Sequence, residues 1–345
     1  MAGKYRDIFL DVAKGVAIIL VVIGHICQGS RTDFDHFFPF RLIYSFHMPM
    51  FICLAGMVAS LKIKSFFPLS PTVLVASTAR KEASRATKRL LIPFIAWTVV
   101  YYFIGHNDGT LTYFKNVIAS PDLSLWFLLA LFYCRILLEV IRGVVSLARI
   151  ALVKIFKRDV TILEHPVVAL VLIMISFMFL RNHVPGDVGL GFLKYFFPYY
   201  VFGIFLYKYK DKIRYRTLIQ TICLVMFCAL MPFWYRMEPG PAEARLSQFM
   251  SSGNASMLFR HTVAICGTIA FLGAVKLLVR ARISWLNIVL AFSGSLTLGV
   301  YALHSQFMWI PPIFFGTFAA SLLATWLIGK IPVVRFFLLG EKFLR

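Results

Sequence analysis

The stretch DVAKGVAIILVVIGH, residues 11–25, decides how the rest of the chain is read. Its apolar run suits a helix crossing lipid, yet it carries a carboxylate at Asp11, an ammonium at Lys14 and an imidazole at His25. Ionisable groups are expensive in hydrocarbon and commonly mark function there. As a helix, the step from Lys14 to His25 turns about 20° past three full turns. Both side chains therefore project from one face, roughly 16 Å apart along the axis. Asp11 stands one turn before Lys14, where it can neutralise it as an i,i+3 partner.

Outward from this stretch the apolar pattern continues along the chain. The 345 residues are 60% hydrophobic and 15% charged, with mean hydropathy +0.79. That leaves too little polar surface for a soluble domain of this size, so the excess must face lipid. Runs near the ~20 residues that cross a hydrocarbon core recur throughout. They are continuous, where a barrel would show short alternating segments. The reading is an all-α integral membrane protein with about ten transmembrane helices, a single polytopic domain over residues 1–345. The spans fall roughly at 8–28, 40–61, 90–105, 124–145, 165–181, 192–208, 216–235, 258–278, 287–309 and 312–329. The first run lacks a small-residue cleavage site and reads as a retained signal anchor. Cys27, Cys53, Cys134, Cys223, Cys228 and Cys266 have neither metal-ligand nor CxxC spacing, which points to buried free thiols and no metal.

A net charge of +21 raises nucleic acid as a partner, and its distribution answers the question. Basic residues cluster in alternate loops: Lys4 and Arg6, the segment 62–89, Arg142 to Arg158, Lys208 to Arg216, Lys276 to Arg282, and the tail 330–345 including Lys342 and Arg345. The intervening loops are poorer in them. The positive-inside rule then sets both termini in the cytoplasm, with 62–89 a basic cytoplasmic segment. The charge reflects topology and contact with anionic lipid. No basic, aromatic-rich soluble domain is present to hold a nucleic acid.

With that topology His25 lies near the outer end of the first span. FHMPMFICLAG, residues 46–56, enters from outside and brings His47 about two turns below the outer surface; Pro49 removes a backbone donor and can kink the helix. SGSLTLGVYALHSQF, residues 293–307, runs outward within the ninth span and carries His304 to a similar depth. Any one of them can be interhelical glue, a reading that fits His25 less well because it shares a face with Lys14. Arg135 and Glu139, four apart, read as a helical ion pair. His36, His106, His165, His183 and His261 fall in loops or at span ends. In ASRATKRLLIPFIAW, residues 83–97, Arg85, Lys88 and Arg89 crowd the cytoplasmic mouth of the third span. They suit lipid headgroups, or the phosphates of a cytoplasmic ligand.

These motifs, in this order, resemble membrane-bound acyltransferase family 3, whose members O-acylate cell-surface polysaccharides and related glycans. Lys14 through His25 is similar to the family's opening basic residue, ten intervening residues and histidine, with Lys where Arg is commoner. FHMPMFICLAG, KRLLIPF (88–94), LWFLLALF (125–132), YFFPYYVFGIFLYKY (195–209) and SLTLGVYALH (295–304) resemble its later motifs, with Ala55 where serine is usual. The resemblance implies ten spans in the cell (plasma or inner) membrane. It also implies an acyl-CoA co-substrate, most often acetyl-CoA, on the cytoplasmic side, no tightly bound cofactor, and a polysaccharide or lipid-linked glycan acceptor outside. Some relatives carry a further extracytoplasmic SGNH domain; the chain ending soon after its last span leads us to expect none here.

Acyl transfer to a hydroxyl needs a base, oxyanion stabilisation and a held donor. His25 is the expected base, with a covalent acyl-histidine as the competing role. Lys14 is expected to stabilise the oxyanion or hold the donor, although its axial distance from His25 opposes contact with one carbon. Asp11, His47 and His304 support the site, Trp126 and Tyr301 bind the acceptor, and Arg85, Lys88 and Arg89 take the CoA phosphates. One rival is a glycan or lipid-intermediate transporter or flippase; another is an enzyme of the same fold acting on a lipid or amine. Neither oligomeric state nor acyl identity is legible.

Overall fold

In a computed structural model, residues 7–69, 72–105, 110–120, 124–157, 159, 161–181, 183 and 188–341 are described. Lys4, Arg6, His106, Arg158, Lys342 and Arg345 lie outside them. Among the described residues every regular element is helical. In chain order these are α1 (Ile8–Gly29), α2 (Phe38–Tyr44), α3 (His47–Ser60), α4 (Thr72–Ala86), α5 (Ile92–Gly105), α6 (Thr110–Ala119), α7 (Trp126–Phe156) and α8 (Pro166–Arg181). Then follow α9 (Leu190–Lys208), α10 (Arg216–Leu230), α11 (Pro241–Leu246), α12 (Ser252–Arg280), α13 (Ser284–Ser295), α14 (Thr297–Leu303), α15 (Ile313–Ile328) and α16 (Pro332–Leu339).

The all-helical character with several apolar helices holds. Among the described residues six helical stretches are long and apolar enough to cross a bilayer, seven if the bent pair α13–α14 is one span. Helices α8 and α15 are apolar but shorter. The expected ninth span is not a continuous helix: it bends by 68° at Leu296, between Ser284–Ser295 and Thr297–Phe307. The fourth runs on to Phe156, well past the expected end at 145, because its charged second half finds protein partners. Much of the segment 62–89 is helical as well, α4 leading through a π-turn at Thr87–Leu91 into α5.

Two compact units emerge, one of residues up to Leu54 with Tyr209–Leu327, the other of Ala55–Lys208 with the chain from Ile328. The first begins at a cap: Asp7 Oδ1 accepts from the Phe9 and Leu10 N–H groups and opens α1. Helices α1 and α13 then cross at very short range. A Cβ on Gly15 would stand 1.9 Å from the Leu290 carbonyl oxygen, and one on Gly294 would stand 1.9 Å from that of Asp11. Such small-residue crossings let helices bind by packing where lipid offers no hydrophobic gain. On α15 the buried Thr317, Ser321 and Thr325 each donate to a backbone carbonyl, so the polar stripe is internally satisfied.

In the second unit, Gly56 lets the later half of α3 press against α9, where a Cβ would lie 2.1 Å from the Tyr200 carbonyl. Pro93 cannot donate to the Arg89 carbonyl, and the widened turn before it reflects that missing bond. Gly340, at φ +62°, fits against that carbonyl, where a Cβ would come within 2.6 Å. Arg149, 5% exposed, is held by Asp159 and Glu164 and donates to the Phe67 carbonyl.

Candidate functional site

In the first unit His25 and His47 flank Tyr44, and His304 meets His25. Pro49 has no N–H for the Ser45 carbonyl, and the chain turns at Ser45–Phe46 before α3 resumes at His47. This break sets Tyr44, at the end of α2, beside His47 with ring centroids 4.5 Å apart. From α1, His25 lies 6.0 Å from Tyr44 and 4.9 Å from His304, centroid to centroid. The bend after α13 delivers His304 to this position, just beyond α14, with the Tyr301 ring 6.1 Å from it. His47 and His304 are buried, whereas His25 is partly open.

Hydrogen bonds fix which ring nitrogens are available. His47 Nδ1 faces the Ile43 carbonyl at 3.1 Å, and His304 Nδ1 faces the Tyr301 carbonyl at 2.8 Å. A carbonyl only accepts, so each neutral ring carries its proton on Nδ1 and presents Nε2 as a lone pair. The Tyr44 hydroxyl donates its one proton to Gln28 Oε1 at 2.5 Å. Its oxygen is then left to accept from His25 Nδ1, 3.5 Å away. In that arrangement His25 Nε2 is the basic nitrogen.

A loop after α10 completes the surroundings. Arg236 sets its guanidinium carbon 5.0 Å from the Tyr44 ring centroid. Asp35 clamps the loop by its main chain, accepting from the N–H groups of Arg236 at 2.8 Å and Met237 at 2.9 Å. Arg41 donates to the Pro232 carbonyl at 2.9 Å and lies over Tyr235.

Lys14 binds Asp11 at 2.7 Å, the i,i+3 pair read from the sequence, at the level of the Gly15–Gly294 crossing. Tyr44, Gln28 and Arg236 are functional candidates that sequence reasoning missed. Gln28 stands three residues after His25 and Tyr44 three before His47, a helical spacing that could have drawn attention to both. Nothing in the sequence pointed to Arg236.

The second unit contains the remaining candidates. Trp126 packs against Phe192 and Phe196, with centroids at 4.8 and 5.3 Å. Arg85 pairs with Glu82, which also holds Arg135. The expected Arg135–Glu139 pair is therefore replaced: Glu139 takes both hydrogen bonds from Arg142 Nη1 instead. Lys88 and Arg89 are exposed on the π-turn. Lys62 joins this group. Partial burial pushes its ammonium below the ordinary lysine range, and Arg135, Arg89 and Arg85 press it further, opposed by Glu82. Three cations against one anion leave room for an anionic ligand. Among the described residues no group of three or more His, Cys, Asp or Glu side chains is arranged to hold a metal ion.

Comparison with known proteins places these features in a family context. The profile of a family described as "Acyltransferase domain" (acyltransferase 3) matches residues 7–339. Nodulation protein NolL of Sinorhizobium fredii (strain NBRC 101917 / NGR234) is 26% identical over 249 residues, covering 67% of this chain and 58% of that protein. Nodulation protein NolL of Mesorhizobium japonicum is 31% identical over 149 residues, covering 39% of this chain and 36% of the relative. The chain thus spans less than two thirds of the length of both relatives. No solved structure matches it.

Proposed function

This chain belongs to the acyltransferase 3 family, and on that footing we propose that it carries an acyl group, acetyl in the simplest case, from acyl-CoA to a hydroxyl of a polysaccharide or lipid-linked glycan outside the membrane. The donor is used from the cytoplasm, and the protein lies in the cell membrane with both termini inside. The observation that carries this reading is the gathering of His25, His304 and Tyr44, with His25 partly exposed and its Nδ1 facing the Tyr44 hydroxyl at 3.5 Å.

In this mechanism His25 Nε2 removes the acceptor hydroxyl's proton as its oxygen attacks the thioester carbonyl. The tetrahedral intermediate collapses with loss of the C–S bond, and the imidazolium returns the proton to the departing thiolate. Products are the ester and CoA with its thiol restored. An acyl-imidazole on His25 is the competing route, and a burst of CoA release without acceptor would reveal it. His304 and His47 shape the polar pocket, and Tyr301 borders the acceptor. Lys14, paired with Asp11, serves the donor's path. Arg85, Lys88 and Arg89 take the CoA phosphates, a role to which Lys62 adds charge. Trp126, packed against Phe192 and Phe196, lends the acceptor side an aromatic edge.

The test follows free CoA released from acetyl-CoA, with solubilised glycolipid extract as acceptor, for wild type and His25→Ala at matched folding. Release that disappears in the variant is expected. A wild type that neither binds acetyl-CoA nor releases CoA would overturn the assignment and favour transport.

A further inference from the structure

Negative charge develops on the thioester oxygen at the moment His25 takes its proton, and a preorganised cation or hydrogen-bond donor must meet it. Lys14 is badly placed for this. It lies roughly 16 Å along the helix axis from His25 and is already bound to Asp11. The other imidazoles offer lone pairs at Nε2 in their neutral forms, not donors. Arg236 has the missing properties. Its guanidinium stands over Tyr44, the ring that contacts both His25 and His47. It is exposed, and among the described residues no carboxylate forms an ion pair with it.

Its position is also built. Asp35 accepts from the Arg236 N–H, and Arg260 Nη1 donates to the Arg236 carbonyl at 3.3 Å. Arg260 is itself anchored by the buried Glu243 at 3.1 Å. Gly240 allows the loop to fold tightly, since a Cβ there would stand 2.1 Å from the Phe233 carbonyl. The peptide at 236 is thus gripped on both sides, and its guanidinium rests against Tyr44 beside the histidines.

We propose that Arg236 is a catalytic residue of the acyl transfer, donating from its guanidinium to the thioester carbonyl oxygen as that oxygen becomes an oxyanion. This rests on the acyltransferase reading above. The fork geometry gives two parallel donors where lysine has one point charge. Loss of a single oxyanion donor costs roughly 100- to 1000-fold in kcat.

The experiment compares wild type, Arg236→Ala, Arg236→Lys and His25→Ala in the CoA-release assay. The glycolipid extract is divided by anion exchange into neutral and anionic acceptors, and thermal melts confirm folding. Expected is a fall in kcat of about 100-fold or more for Arg236→Ala, equal with every acceptor that wild type uses, at nearly constant KM, and partly restored by Arg236→Lys. A rise in KM with kcat preserved, or a loss confined to anionic acceptors, would make Arg236 an acceptor-binding residue and overturn the inference. So would wild-type kinetics for Arg236→Ala. Either result with His25→Ala inactive leaves the acyltransferase reading standing, whereas full activity of His25→Ala defeats the base assignment alone.

Discussion

Replacing Gly15 with alanine puts the packing of the first unit to its sharpest test. The new Cβ would begin 1.9 Å from the Leu290 carbonyl oxygen and 2.7 Å from its carbon. Ordinary contact starts near 3.4 Å, so α13 must retreat by 3.4 − 1.9 = 1.5 Å, and the obstruction is backbone that cannot rotate away. Overpacking of this kind costs about 1–3 kcal/mol, in a setting where packing is the main force between helices. Gly294→Ala meets the Asp11 carbonyl at the same 1.9 Å and forces the same separation from the other side. Once the helices have parted for one methyl, the second finds space. The double variant should therefore lose less than the sum of the singles, by at least about 0.5 kcal/mol. Unfolding midpoints in detergent give the stability arm. CoA release gives the other, because α13 leads through the bend to His304, and a misplacement of about 1 Å can cost about 100-fold in rate. A Gly15→Ala protein that melts and turns over like wild type, or a strictly additive double variant, would refute the close crossing.

Other perturbations follow from the same geometry. Tyr44→Phe removes the oxygen facing His25 Nδ1 and the donor to Gln28; kcat should drop about tenfold while the melting temperature barely moves, and an unchanged rate would remove Tyr44 from the site. Arg149→Met leaves Asp159 and Glu164 without their guanidinium; since both carboxylates are 34% exposed, a loss of about 1–3 kcal/mol is expected in the same melts, below the cost of a fully buried pair. Lys62 is held below its ordinary value of 10.5, so folding disfavours its proton, and that cost is fully present below the folded value and disappears as pH rises towards 10.5. Lys62→Met should accordingly raise stability at neutral pH, flatten this alkaline gain and weaken acetyl-CoA binding measured by calorimetry; unchanged binding would detach Lys62 from the donor site.

Local spacing carried much of this structure into the sequence. The apolar run and its three polar residues mark α1, and the Asp11–Lys14 contact is fixed by helical geometry alone. Alternating span direction led us to expect His25, His47 and His304 at a similar depth, and His25 and His304 come within ring contact. Where partners come from distant segments, periodicity is silent. Arg135 chose Glu82, 53 residues away, over the helical neighbour Glu139, which Arg142 claimed. The 68° bend at Leu296 follows Ser293-Gly294-Ser295, a break weaker than a proline within an otherwise apolar run. Arg236 belongs to a loop positioned by Asp35, 201 residues earlier, and no pattern short of the folded chain connects them.

The grip on residue 236 acts through peptide atoms and ignores the side chain. Its loop therefore works as a socket: whatever side chain occupies the position is presented at the same place above Tyr44, with the mount undisturbed. Chemistry beside the histidines can then diversify by single replacements at 236, whereas the mount itself tolerates little, since Asp35 and Arg260 each hold the peptide of 236 and Glu243 holds Arg260. A change at Asp35 would release the tool together with its handle.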